Sequence, residues 1–133
     1  MRILAFTPTW DDAMRPETRL SIQDQELDGI DLEWCISKDN PHKVPDHRNV
    51  LHQYSIARRR VLDEGFDALW TVEHDMIVPP HAVRQLADTP GDVVYGIYLL
   101  RWGTYVLNAF EYINQKNIGE VNFQPSSSAW AAG

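Results

Sequence analysis

Phe66-Asp67-Ala68-Leu69-Trp70-Thr71-Val72-Glu73-His74-Asp75-Met76-Ile77-Val78-Pro79-Pro80 is the stretch that decides how this chain folds. Its first seven residues are mostly apolar and follow a glycine, which predicts a buried strand over 66–72. Two carboxylates flanking a histidine come next, and a proline pair then opens a short helix over 81–87, closed by Thr89-Pro90-Gly91. A strand sends side chains i and i+2 to one side, so Glu73 and Asp75 are expected to converge while His74 points away. Alone, such a tripeptide reads as solvated loop acids, with Asp75 capping the next turn. At the carboxyl end of a buried strand, where open α/β sheets bind ligands, it becomes a candidate site. Two adjacent carboxylates repel unless they share a cation or a proton. Their hard oxygens suit Mg²⁺ or Mn²⁺, with water and substrate phosphates completing the shell.

Upstream, Val50, Leu51, Tyr54, Ala57, Val61 and Leu62 recur at steps of three and four, and Gly65 supplies a stop. That spacing predicts a helix. Residues 38–47 hold Asn40-Pro41 and Pro45 and read as a loop. Residues 31–37 read as a strand, 16–27 as a helix led by Pro16 and ended at Asp28-Gly29, and 3–7 as a first buried strand closed by Pro8. Downstream, 92–100 is nearly continuous in apolar residues, as expected of a strand covered on both faces. Residues 105–112 alternate loosely, like an antiparallel strand, before a turn over 114–117. Strands alternating with helices imply an α/β fold: a Rossmann-like, mostly parallel sheet flanked by helices. The 133 residues fit one domain spanning the chain.

Twelve basic against nineteen acidic residues leave a formal charge of −7, which excludes non-specific nucleic-acid binding through a basic surface. A single nucleotide remains open, because a bound divalent cation supplies positive charge locally. The single cysteine, Cys35, excludes an internal disulfide and reads as a small buried hydrophobe. No apolar run approaches the length of a membrane span or a signal peptide, so the chain reads as cytoplasmic. His42, His47 and His52 recur every five residues without a recognised ligand spacing and read as solvated or capping histidines.

Taken together, the segments resemble the nucleotide-sugar-dependent glycosyltransferases of the GT-A fold, in particular their large family-2-like group. The resemblance rests on Leu4-Ala5-Phe6-Thr7-Pro8-Thr9-Trp10, on Ser37-Lys38-Asp39-Asn40, on Ala57-Arg58-Arg59 and on the 66–80 stretch. Gly96-Ile97-Tyr98 with Arg101 is similar to the strand that follows. It covers roughly residues 1–101. The resemblance implies a nucleoside-diphosphate sugar as donor, with Thr7, Pro8 and Thr9 against the nucleoside, Asp39 on the base and Arg58 near base or phosphate. It gives Asp75 the Mn²⁺ or Mg²⁺ that bridges the diphosphate, turns Glu73 toward the ribose or that metal, and adds Arg101 to the substrate-binding residues. The chain departs from the family pattern in two places: Glu73 stands where the first Asp of the family's D-x-D falls, and Arg59 replaces an asparagine.

In inverting members a catalytic carboxylate lies well beyond the acidic turn, in the acceptor half. Glu111 and Glu120 are the only acids after Asp92, and neither is assigned as base. The expectation is therefore a donor-binding half, with 101–133 beginning the acceptor side; Thr104, Tyr105 and Trp102 are candidates for its groove, and Trp102 reads equally as an exposed or interface residue. Such a half would expose apolar surface and self-associate. Two other classes stay open. A catalytically silent nucleotide-sugar-binding module would share the donor site without a base. A nucleotidyltransferase would share the acidic metal site but needs a glycine-rich basic loop after the first strand, which Pro8-Thr9-Trp10-Asp11-Asp12 does not provide.

Overall fold

β1 (Arg2–Pro8) is the axis of the fold, with every residue after Arg2 buried. The computed structural model describes residues 1–10, 14–94, 96, 110–113 and 117–120. β2 (Asp31–Ser37) and β3 (Ala68–Thr71) flank β1, both parallel to it, in the order β2-β1-β3. Leu4 pairs with Glu33 on one side and Leu69 on the other. β3 is shorter than the predicted 66–72, yet its ladder extends beyond both ends. Asp67 N–H donates to Arg2 O at 2.8 Å and Val72 N–H to Phe6 O at 3.0 Å.

Helices cover both faces, as a parallel sheet requires. α2 (Arg48–Glu64) packs on β1 and β3, and its Tyr54 ring lies 6.0 Å from that of Phe6. On the opposite face, Ile22 of α1 (Pro16–Gln23) and Val83 of α3 (Ala82–Asp88) close a core with Ile3, Ala5, Trp70 and Val72. The alternation of β1 divides these contacts, Ile3 and Ala5 to one side and Leu4 and Phe6 to the other.

Element ends follow local chemistry. α2 stops at Gly65, whose φ of 71° is the left-handed region glycine favours. There the N–H groups of Gly65 and Phe66 both turn back to Val61 O. α1 ends at Gln23, four residues short of expectation, because Gln25 serves α3 instead. Its Nε2 donates to Ser21 O at 2.8 Å and Pro79 O at 2.7 Å, while its Oε1 accepts Val83 N–H at 3.0 Å. That last bond satisfies one of the amides that a helix leaves unpaired at its start.

The buried positions of α2 are Asn49, Gln53 and Ala57, of which the apolar stripe that periodicity picked out contains only Ala57. Leu51 and Leu62 of that stripe are 70% and 64% exposed. Cys35 is half-buried rather than fully enclosed. Residues 92–94 and 96 are not in a strand, and the rest of the strand expected over 92–100 lies outside the described residues.

The chain divides into two compact units, Met1–Val94 and Tyr95–Gly133. Within the second, β4 (Phe110–Ile113) and β5 (Asn117–Glu120) pair antiparallel, so Asn117 opens a strand rather than closing the expected turn. Trp102, Thr104 and Tyr105 lie outside the described residues. Among the described residues, no helix is long and apolar enough to cross a membrane.

Candidate functional site

The strand order reverses at β1: the chain passes from β1 to β2 on one side, then returns to place β3 on the other. Beyond the carboxyl ends of β1 and β3 this leaves the crevice in which open α/β sheets bind ligands. A cavity of about 190 Å³ occupies it, lined by Pro8, Thr9, Trp10, Val50, Gln53, Tyr54, Glu73 and His74. The register explains the meeting: the offset that pairs Ile3 with Ala68 brings Pro8 level with Glu73.

The acidic turn differs from its strand-based expectation. β3 ends at Thr71, and Glu73 to Met76 form a turn closed by Met76 N–H on Glu73 O at 3.2 Å. Strand alternation therefore stops before the motif. Glu73 and His74 both line the cavity, and Asp75, half-buried, is not among its walls. His74 also anchors the turn, since its carbonyl accepts Arg15 N–H at 3.3 Å. Burial first, and then the nearby Glu73 carboxylate, push the Tyr54 phenol above its ordinary range, so Tyr54 keeps its proton.

The remaining predicted residues fall in several places. Pro8 and Thr9 line the cavity, whereas the buried Thr7 hydroxyl accepts Trp34 Nε1–H at 3.1 Å. Asp39 is exposed and meets His52 Nε2 at 2.9 Å. Arg58 is exposed on α2, one position past the buried Ala57, and is not a cavity wall. Arg101 lies outside the described residues. The described walls thus carry one carboxylate and no lysine or arginine.

Three amides missed by the sequence reading build the cavity's frame. Asn40 Nδ2 reaches the carbonyls of Thr9 and Trp10 at 3.1 and 3.0 Å, tying the loop after β2 to the loop after β1. Gln53 Nε2 donates to Asn40 Oδ1 at 2.7 Å, adding α2 to the same chain of bonds. Asn49 exchanges two bonds with the His42 backbone, its Oδ1 accepting at 2.8 Å and its Nδ2 donating at 3.0 Å. Gln53 Oε1 has no donor among the described residues, an unmet buried acceptor that costs about 1–3 kcal/mol. The available signal was the spacing Asn49, Gln53, Ala57, which an apolar template does not score.

The donor chemistry at the turn suits a hard divalent cation. Magnesium-type sites use one or two protein carboxylates and take the rest of their shell from water and phosphate. Glu73 and Asp75 are the carboxylates of the turn, of which only Glu73 lines the cavity, and among the described residues no group of three or more His, Cys, Asp and Glu side chains is placed to hold a metal. Comparison with protein-family models, with curated proteins and with solved structures finds no match.

Proposed function

We propose that the Met1–Val94 unit is a GT-A-like glycosyltransferase domain that binds a nucleoside-diphosphate sugar. One observation carries the reading. The loop after β1 and the acidic turn after β3 meet in a single cavity at the point where the strand order reverses. Trp10 and Tyr54 offer aromatic surface to a nucleoside, and Thr9 and Gln53 offer polar atoms.

Glu73 and Asp75 hold Mn²⁺ or Mg²⁺ in this reading. A diphosphate brought against an acidic wall needs such a cation to neutralise it. When bound, the ion supplies Lewis-acid stabilisation of the departing nucleoside diphosphate. During transfer the anomeric carbon–oxygen bond to the diphosphate breaks with its electron pair leaving on the phosphate oxygen. The acceptor hydroxyl oxygen forms the new bond to that carbon, and its proton passes to water or to the departing diphosphate. Trp10 and Tyr54 hold the nucleoside, Tyr54 remaining a neutral donor beside Glu73.

The test uses the full chain with UDP- and GDP-sugars and Mn²⁺, following nucleoside-diphosphate release with simple sugar acceptors or water. Release that disappears in Asp75→Ala, with circular dichroism unchanged, is the expected result. Donor binding without release or transfer would make the domain a silent nucleotide-sugar-binding module.

A further inference from the structure

β2 lies at one edge of the sheet, and its two ends fix the direction of its backbone bonds. Asp31 N–H donates to Met1 O at 2.9 Å, and Ser37 O accepts Thr9 N–H at 2.9 Å. Within a strand, the N–H and C=O of one residue point the same way, and the direction alternates along the chain. The odd-numbered residues of β2 therefore face β1, while Leu32, Trp34 and Ile36 turn both backbone groups away from it. Among the described residues, no other strand or backbone group meets them there.

An edge left open in this way pairs with other chains unless lysine, proline or a bulge blunts it. β2 has no lysine or proline over Asp31–Ser37, and its register with β1 runs without a break. Its two acids are matched within the same copy, Asp31 by Arg2 at 3.5 Å and Glu33 by Arg60 at 2.6 Å. The outward positions carry apolar side chains, Leu32, Trp34 and Ile36, all half-buried and on one face of the sheet.

We propose that this edge is an interface whose occupant is β2 of a second copy, running antiparallel about a two-fold axis at Trp34. In that register Leu32, Trp34 and Ile36 bond through both backbone groups to Ile36, Trp34 and Leu32 of the second copy. A one-residue shift sets outward groups against inward ones, and a two-residue shift loses part of the ladder. The same register lays Leu32 against Ile36 and Trp34 against Trp34, apolar cross-strand pairs on one face. On the other face Glu33 stands opposite Cys35, so like charges are not opposed. Lys38, exposed just past the strand, comes beside the Asp31 end of the second copy. Acids at the start and a lysine after the end thus favour an antiparallel copy. None of the cavity walls belongs to β2, so the interface is independent of the nucleotide reading.

The experiment follows sedimentation of the full chain over a concentration series and is expected to show a reversible dimer. Ile36→Pro deletes an outward N–H and leaves the bonds to β1 in place, so it should weaken dimerisation by about tenfold or more. Ile36→Val keeps that N–H and should stay within about threefold of the unaltered chain. Glu33→Cys sets a thiol opposite Cys35 of the second copy at a non-hydrogen-bonded pair, where side chains approach closely enough for a disulfide. Diamide oxidation should therefore give a covalent dimer of this variant. The unaltered chain, whose two Cys35 residues are offset along the strands, should give none.

A chain that stays monomeric up to about 1 mM overturns the inference. So does a dimer that Ile36→Pro leaves intact, or one that Glu33→Cys does not cross-link. Slow hydrogen exchange at the Leu32, Trp34 and Ile36 amides of a monomer would give the edge to the protein's own remaining residues instead. The cross-link decides the point even if Ile36→Pro fails to fold.

Discussion

Tyr54 and Glu73 share a wall of the cavity, and a titration reads their coupling. Burial is the larger cause of the raised Tyr54 pKa and the Glu73 charge the smaller. Glu73→Gln should therefore lower the phenol's pKa without returning it to the ordinary value, as followed by ultraviolet difference spectroscopy. A divalent cation bound at Glu73 should act in the same direction by offsetting its charge. An unchanged titration in Glu73→Gln would mean that the carboxylate does not face the cavity. At this scale the sequence was legible where a charged residue followed a strand, as at Glu73, and where a loop followed the first strand, as at Pro8 and Thr9. It was not legible at Asn40, Asn49 and Gln53. Amides score as solvent-facing, and only three-dimensional neighbours show that their bonds close on backbone groups.

Elements were legible wherever a local rule governed them. Pro16 began α1, Gly65 ended α2 in the left-handed region, and β2 fell on 31–37 as expected. Misplaced boundaries came from long-range bonds. Gln25 left the reach of α1 because its side chain joins the Pro79 carbonyl to the Val83 N–H, 54 and 58 residues away. Gln25→Ala removes both bonds and leaves the N–H of buried Val83 without its acceptor, so it should destabilise the protein by about 1–3 kcal/mol. Urea denaturation with an unchanged m-value checks this. A loss below about 0.5 kcal/mol would mean that water replaces the amide without penalty. The rotation of α2 has a similar origin. Its apolar stripe predicted Leu51 and Leu62 inward, yet the helix buries Asn49 and Gln53, because the loop over 38–47 offers Asn49 the His42 backbone and Gln53 the Asn40 side-chain oxygen.

For the whole molecule, alternation of strands and helices led directly to the parallel α/β architecture, because both periods were strong in the first ninety or so residues. The sheet order was not written in either period. It emerges from β1 being buried on both faces and between two neighbours, which places the acidic turn beside the Pro8–Trp10 loop rather than across the sheet. That adjacency turns a common tripeptide into one side of a cavity, with Glu73 as its wall and Asp75 half-buried beside it. Calorimetric titration of the full chain with UDP and GDP, with and without Mn²⁺, tests the resulting claim most directly. The account predicts saturable binding of at least one nucleotide that requires the metal and is lost in Asp75→Ala. Absence of binding by both nucleotides in the presence of Mn²⁺, from a folded protein, would contradict it.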